Sequence, residues 1–273
     1  FCELTPERGI SVGKSDFQVS LFCQDKRGEK QELENLEVKV YRRLFRKNTP
    51  SLPPIHIGDD GSNGAAQEGD GITTIVVRPT DRDWGQMYVE VNASVAGLRH
   101  NQRAAFYSTP IVVGEIQEGV QDELRDGHLF IRVPVQIRKK GYYEFQANLQ
   151  EQGGDQQFIG SATFEGDLEP GLRTVELQFF GRVLADAGFP GPYVVREIRG
   201  KRHNSPVSPS QIQRARREGT PIPPVTQTEP MWEYIEPAAD FVTRSYEVSD
   251  FSTEEWNSEE KQRRLEFLEN QIR

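Results

Sequence analysis

The residues best able to do chemistry are the carboxylates of one glycine-rich loop. Asp59, Asp60 and Asp70 lie among five glycines, which are Gly58, Gly61, Gly64, Gly69 and Gly71. Carboxylate oxygens are hard ligands that suit Ca²⁺, and glycine lets the backbone turn tightly around an ion. The loop therefore predicts a calcium site held by the three aspartates. The alternative is a solvated turn in which the aspartate side chains accept hydrogen bonds from backbone N–H groups.

The elements around this loop must be β-strands, because short segments of alternating apolar and polar residues recur along the chain between turn residues. The first set of predicted strands is Phe17–Cys23, Leu36–Tyr41, Ile72–Val77, Met87–Ala93 and Arg103–Tyr107. The second set is Leu129–Ile137, Gly141–Leu149, Gln157–Phe164, Arg173–Phe179, Tyr193–Arg199 and Phe241–Val248. Strands of this length and spacing predict an all-β chain built from sandwiches.

Composition changes divide the predicted strands into domains. We expect a first sandwich over residues 1–110 and a second over 111–252, with the boundary at Thr109-Pro110. Residues 203–230 are rich in proline and predict a long loop of the second domain. Residues 253–273 predict a C-terminal helix, in which Ser252 caps the helix and Glu255 completes a capping box.

Charge and hydropathy argue against two classes of function. Asp and Glu total 42 against 33 for Lys and Arg, so the formal net charge is −9. A negative chain is a poor match for nucleic acid, whose phosphates need a positive field. No apolar run approaches the roughly 20 residues that cross a bilayer. We therefore expect a protein that neither binds nucleic acid nor spans a membrane.

The chain has two cysteines, Cys2 and Cys23. Cys23 ends a predicted strand, and the segment around Cys2 could lie along its edge. Free cysteine is scarce in exported proteins, so the pair predicts a disulfide and an exported location. Two unrelated thiols, one of them buried, are the alternative.

Two further groups of side chains could contact a partner. The basic group comprises Arg196, Arg199, Lys201, Arg202, Arg214, Arg216 and Arg217. It could meet an acidic surface, an anionic glycan or lipid headgroups. Alternatively, its members are ordinary solvated cations that pair in part with the acidic tail at 254–260. The second group is Trp232 and Tyr234, aromatic residues in the proline-rich segment that predict an exposed platform.

Catalytic motifs are missing from the sequence. Its four histidines, His56, His100, His128 and His203, are scattered and form neither a metalloprotease motif nor part of a nucleophile elbow. A carboxylate pair chosen from 42 acids carries almost no information. The sequence therefore predicts a protein that is not an enzyme.

The order Asp59-Asp60-Gly61, Gly64 and Gly69-Asp70-Gly71 resembles the aspartate–glycine signature of immunoglobulin-like modules in bacterial exported proteins of the choice-of-anchor X type. Segments of the second half, including Gly141-Tyr142-Tyr143-Glu144-Phe145 and Phe179-Phe180-Gly181, are similar to the companion domain of those proteins. The resemblance implies two consecutive immunoglobulin-like β-sandwiches. The sequence departs from the signature at Ala65, where an acid is usual, and at Thr73, where an aromatic is usual.

These observations predict a non-catalytic, exported structural or adhesive module at the bacterial cell envelope, whether periplasmic, surface-bound or secreted. Its surface loops would contact a protein or glycan. A carbohydrate-binding module is the main alternative. The available aromatic rings are Trp84, Tyr142, Tyr143, Trp232 and Tyr234; we expect most of them in the core and only Trp232 and Tyr234 as an exposed platform. The third possibility is an accessory domain of a larger secreted hydrolase.

Overall fold

The computed structural model describes residues 1–44, 47–50, 53–59, 69–205, 209–221, 229–255 and 259–272. Strands hold 54% of the residues and helices 11%, so the prediction of a predominantly β protein with a short C-terminal helix is confirmed. The strands of the first half are β1 (Cys2–Pro6), β2 (Ile10–Val12), β3 (Phe17–Cys23), β4 (Glu34–Leu44), β5 (Lys47–Pro50), β6 (His56–Gly58), β7 (Ile72–Val77), β8 (Gly85–Val95) and β9 (Leu98–Thr109).

The strands of the second half are β10 (Gly114–Ile116), β11 (Gln121–Arg125), β12 (His128–Ile137), β13 (Gly141–Glu151), β14 (Phe158–Leu168), β15 (Gly171–Phe179), β16 (Tyr193–His203), β17 (Trp232–Ile235) and β18 (Phe241–Val242). The helices are α1 (Gly181–Ala187), α2 (Pro209–Glu218) and α3 (Glu259–Ile272), and a 3-10 turn covers Val248–Asp250. Among the described helices, none is both long enough and apolar enough to span a bilayer.

The chain divides into two compact units. The first contains Phe1–Val113 together with Arg202–Ile235, and the second contains Gly114–Lys201 together with the chain from Glu236 onward. The sequence pattern places the break at residue 110 and assigns 203–230 to the second domain. In the structure the break follows Val113, and the proline-rich segment returns to the first unit.

The first unit is a pair of sheets that share one core. One sheet has the order β1-β3-β7-β6 and the other β2-β9-β8-β4-β5, in which β2 lies parallel to β9. Alternation places one side of every strand inward. Phe17 of one sheet stacks on Phe106 of the other, with ring centroids 4.1 Å apart, and Leu21, Ile75 and Met87 are fully buried around them.

The two cysteines join β1 to β3 in the first unit. Cys2 lies directly opposite Cys23 in the antiparallel register, and the Cα atoms are 4.1 Å apart. The sulfurs are at bonding distance, so the predicted disulfide is confirmed. Both cysteines are buried in the core that the two sheets share.

The second unit also contains two sheets. In one, β15 pairs along one edge of β12, while β10 and β11 pair with β12 at its opposite ends. In the other, β13 lies between β14 and β16, and β18 pairs with β16. The fully buried side chains include Ile131, Tyr143, Phe145 and Tyr193.

The predicted strand over Phe241–Val248 is correct only at its first two residues, which form β18. Two backbone hydrogen bonds continue beyond β18, from the Thr243 N–H to the Tyr193 carbonyl at 2.9 Å and from the Gly191 N–H to the Tyr246 carbonyl at 2.8 Å. Side-chain hydrogen bonds also hold this segment. Thr243 Oγ1 accepts from the Tyr193 N–H at 2.9 Å, and Arg244 Nε donates to Asp122 Oδ2 at 3.0 Å. The Tyr246 hydroxyl donates to the same carboxylate. Burial is the main reason that the pKa of Tyr246 rises to about 12, and its hydrogen bond to Asp122 raises it further.

The predicted capping box at Ser252 and Glu255 is wrong. Residues 252–255 are not helical, and α3 begins at Glu259. Ser252 Oγ accepts from the Glu254 N–H, which closes a local turn. The reciprocal capping pattern occurs instead between Glu247 and Asp250, across the preceding 3-10 turn.

The proline-rich segment contains a helix where the sequence predicts a loop. Pro209 opens α2, a position where its missing N–H costs nothing and its fixed φ is helical. Arg214 Nε donates to Glu218 Oε1 at 2.9 Å one turn later. Gly219 follows with φ +61°, the left-handed conformation that commonly ends a helix.

Candidate functional site

The aspartate–glycine loop connects β6 to β7, which pair as an antiparallel hairpin. Asp59 follows β6, and its Oδ2 accepts from the Gly71 N–H at 2.9 Å. Asp70 precedes β7, and its Oδ1 accepts from the Ile72 N–H at 2.8 Å. Asp60, the third predicted ligand, lies outside the described residues. The two described aspartates therefore meet at one end of the loop and organise its backbone.

Lys30 fixes the same end of the loop from a neighbouring hairpin. Its ammonium group donates to the backbone carbonyl of Asp70. A Cβ on Gly71 would lie 2.6 Å from Lys30 Cδ, and Gly71 has φ +75°. The positive φ favours glycine at residue 71, and a larger side chain there would also displace Lys30.

One carboxylate oxygen in this loop lacks a partner among the residues that the structure describes. Asp59 Oδ1 is buried and accepts no hydrogen bond from any of them. A buried acceptor without a donor costs free energy, and a cation would satisfy it. Within the described ranges no three His, Cys, Asp or Glu side chains gather as a metal site. Calcium at Asp59 and Asp70 therefore stays a prediction.

The basic group forms ion pairs with acids close by. Lys201 Nζ lies 3.0 Å from Glu144 Oε1, and Arg196 Nε lies 3.4 Å from Asp240 Oδ2. These partners belong to the strands and loops around β16 rather than to the acidic tail that the sequence suggests. Arg216 and Arg217 lie exposed on α2, beside the pair of Arg214 with Glu218. The exposed pair on α2 contributes little free energy and describes an ordinary solvated surface, whereas the side chains of Lys201 and Glu144 are half-buried.

One member of the basic group is different, because its ion pair is buried. The Arg202 side chain is 12% exposed and that of Glu233 only 1%, and Arg202 Nη1 donates to Glu233 Oε2. A buried charge needs such a partner. The pair holds the start of β17 beside the end of β16.

Trp232 and Tyr234 flank Glu233 and lie against Tyr107. The Tyr107 ring centroid is 6.2 Å from that of Trp232 and 5.2 Å from that of Tyr234. The backbone N–H of Trp232 donates a hydrogen bond to the Tyr107 hydroxyl at 3.3 Å. Burial raises the pKa of Tyr107 to about 12. Trp232 keeps 39% of its surface exposed, while Tyr234 is half-buried, so the structure brings the two predicted aromatics into one patch on the first unit.

A second group of polar and aromatic side chains lies on the outer face of the β4–β8–β9 sheet, and sequence reasoning did not select it. The register places three rows across the strands: Tyr41, Tyr88 and Ala105; Lys39, Glu90 and Arg103; and Glu37, Asn92 and Asn101. All nine are half-buried or exposed, whereas the alternate residues Val40, Val89 and Ala104 are buried in the core. We call this set the outer rows.

The side chains of the outer rows contact one another. The Tyr41 and Tyr88 rings stack with centroids 5.4 Å apart, and the Arg103 guanidinium lies 5.3 Å from the Tyr88 ring centroid. Tyr41 donates from its hydroxyl to Glu90 Oε2 at 3.3 Å. Asn101 Nδ2 donates to Asn92 Oδ1 at 2.8 Å. These contacts hold both aromatic and hydrogen-bonding groups on a rigid sheet.

A sequence signal for this surface was present. Tyr41 has the same alternation phase as Glu37 and Lys39, and Tyr88 has that of Glu90 and Asn92. An aromatic residue in the polar phase of a strand faces solvent instead of the core. Alternation alone cannot show that Tyr41 and Tyr88 meet, because their registry depends on strand pairing.

Comparison with known proteins supports the fold of this chain and does not indicate its function. No family model matches the sequence, and no curated protein matches it significantly. The structure is similar to the crystal structure of a DUF4785 family protein from Legionella pneumophila, with a TM-score of 0.54 and 12% sequence identity. The match covers 91% of this chain and 57% of the Legionella chain. The class of protein defined here is thus a predominantly β, sandwich-like one that carries a disulfide.

Proposed function

We propose that the chain is a non-catalytic binding module of an exported bacterial protein, which contacts a protein or glycan partner at the cell envelope. The observation that carries this proposal is the patch of Trp232, Tyr234 and Tyr107. Trp232 is 39% exposed and the adjacent Met231 is 41% exposed. Large aromatic and Met side chains are enriched at protein interfaces, and Trp and Tyr are frequent among the residues that carry most of the binding energy.

The disulfide supports export. Disulfides persist in oxidising compartments and are rare in the cytosol, where thiols are kept reduced. Cys2 and Cys23 are buried in the core of the first unit, so their bond belongs to the fold and not to a surface redox site. The resemblance to choice-of-anchor X proteins also favours an exported module, and it suggests an immunoglobulin-like topology for the two units.

A binding assay tests the proposal. Biotinylated protein should bind saturably to fixed bacterial cell envelopes, and Trp232→Ala should weaken that binding roughly tenfold, as expected for an aromatic anchor. Phe158→Ala is the matched control, since Phe158 is an exposed aromatic residue of the second unit. Envelope binding no stronger than that of reduced and unfolded protein would contradict the proposal, as would release of soluble glycan fragments by the protein alone.

We also propose that the aspartate–glycine loop binds calcium through Asp59 and Asp70. Calcium at 100 times its dissociation constant should stabilise the protein by about 2.7 kcal/mol. Asp59→Asn should remove most of this stabilisation, because it takes away the charge of a carboxylate whose buried Oδ1 accepts no hydrogen bond within the described ranges. Thermal unfolding with added calcium or chelator measures the effect.

Asp25→Asn is the matched control for the calcium experiment. Asp25 Oδ1 accepts from the Arg27 and Glu29 N–H groups at 2.7 and 3.0 Å, so it organises a turn in the way that Asp59 does. This variant should keep the full response to calcium. A wild-type melting temperature that is the same in calcium and in chelator would refute the calcium site.

A further inference from the structure

We propose that the outer rows of the first unit form a binding site for a neutral oligosaccharide. This inference rests on the proposed function and adds to it a second site with its own ligand class. The site differs from the Trp232 patch, since it is formed by β4, β8 and β9 together with Pro50 of β5 and the nearby Pro53.

A groove at one end of the outer rows offers both kinds of contact that a sugar ring needs. It has a volume of about 470 Å³, and Tyr41, Pro50 and Pro53 form an apolar wall. Lys39 and Glu90 line the same groove with an ammonium group and a carboxylate. A pyranose ring has an apolar C–H face and an edge of hydroxyl groups, so it matches a wall and a polar rim of this kind.

A second depression lies at the other end of the outer rows. Its volume is about 400 Å³, and Glu37, Asn92 and Asn101 are among its lining residues. Lys39 Nζ lies 3.0 Å from Glu37 Oε1, so side chains of the two depressions are in direct contact. Residues two apart on a strand are separated by about 7 Å, and the three rows therefore extend over about 14 Å. This length suits an oligosaccharide better than a single sugar.

Charge distinguishes the ligand class. The three rows hold two cations, Lys39 and Arg103, and two carboxylates, Glu37 and Glu90, and Arg99 adds a third cation to the lining of the second depression. A surface on which both signs are interspersed is a poor match for polyphosphate or anionic lipid, both of which need clustered positive charge. Carboxylates accept hydrogen bonds, ammonium and guanidinium groups donate them, and amides do both. That combination complements hydroxyl groups, which also both donate and accept.

Oligosaccharide titrations test the proposal. The probes are cello-, xylo-, manno- and chito-oligosaccharides of six units, each titrated into the full chain by isothermal calorimetry. We expect one of them to bind. Tyr41→Ala should weaken its binding roughly tenfold because the apolar wall is lost, and Asn92→Ala should weaken it by a similar factor.

Tyr142→Ala is the matched control. Tyr142 is an exposed tyrosine of the second unit, and its hydroxyl donates to Glu165 Oε2 at 2.8 Å, much as Tyr41 donates to Glu90. This variant should bind as wild type does. Circular dichroism and the melting temperature verify that each variant is folded, and Tyr41→Phe should keep most of the affinity if Tyr41→Ala perturbs the fold.

Three results would overturn the inference: no binding of any neutral oligosaccharide, binding unchanged in folded Tyr41→Ala and Asn92→Ala, or binding lost only in Trp232→Ala. Each of them can occur while envelope binding persists, and the proposed function then survives without this site. If the wild-type protein does not bind cell envelopes, the proposed function itself is contradicted.

Discussion

Alanine at residue 181 is expected to lower the free energy of unfolding of the second unit by roughly 3 kcal/mol. Gly181 is the first residue of α1, and a Cβ there would lie 2.0 Å from the Gly127 carbonyl oxygen and 2.7 Å from the Ser252 nitrogen. These two atoms are themselves joined by a hydrogen bond of 2.9 Å. The methyl group would therefore enter a backbone contact that has no flexible side chain to move aside.

Helix propensity alone predicts that Gly181→Ala raises the free energy of unfolding. Alanine is better than glycine inside a helix by up to about 1 kcal/mol. The collision should dominate, since both colliding atoms belong to the backbone and the Gly181 N–H is itself held by His128 Nδ1 at 3.0 Å. Urea denaturation measures the free energy, and hydrogen exchange of peptides from β12 and β13 reports the second unit separately from the first.

Gly153→Ala supplies the control for this experiment. Gly153 lies in a turn of the second unit, and the closest atom to a Cβ there is Glu151 Oε1 at 3.9 Å. We expect a change within about 0.5 kcal/mol. If Gly181→Ala proves as stable as Gly153→Ala, the close approach of Gly181 to Gly127 and Ser252 is incorrect.

Removal of the disulfide should lower the free energy of unfolding of the first unit by about 3 kcal/mol. Cys2 and Cys23 are separated by 21 residues, and the crosslink restricts the unfolded chain over that loop. The double variant Cys2→Ala, Cys23→Ala should show this loss in urea denaturation. Its β1 amides should also exchange faster, because β1 is tied to β3 by the disulfide and the strand ladder.

Reductant provides the internal comparison for the disulfide. It should destabilise the wild-type protein and leave the double alanine variant unchanged, which separates loss of the crosslink from loss of side-chain packing. An unchanged denaturation midpoint for wild-type protein whose thiols are shown to be free would contradict this expectation.

Local sequence pattern predicted most strands because alternation determines which face of a strand enters the core. Phe17–Cys23 and Ile72–Val77 coincide with β3 and β7, and the pattern at Arg173–Phe179 lies within β15. The pattern failed after Val242, where the regular ladder is interrupted and side-chain hydrogen bonds help to hold the backbone. Residues 243–246 alternate well enough for a strand, yet Asp122 binds Arg244 and Tyr246 instead.

Of the candidate sites, one could be predicted from the sequence and the other could not. The types and spacing of Asp59 and Asp70 indicated either a calcium site or a turn held by their carboxylates; the structure shows the backbone hydrogen bonds of the turn, and calcium stays a prediction. The outer rows could not be assembled from sequence, because Tyr41 and Tyr88 are far apart in the chain and meet only through the register of β4 with β8. A register shift of one residue would turn every side chain of a strand to the other face.

By itself, the sequence determined that the protein is predominantly β, that it can form one disulfide, and that its net charge of −9 disfavours nucleic acid. These properties depend on local alternation, on residue counts and on total charge. Tertiary structure alone decided that Arg202–Ile235 joins the first unit and that Tyr41, Glu90 and Asn92 share one face. Those outcomes depend on contacts between distant segments, whose energies come from burial and pairing that no single segment contains.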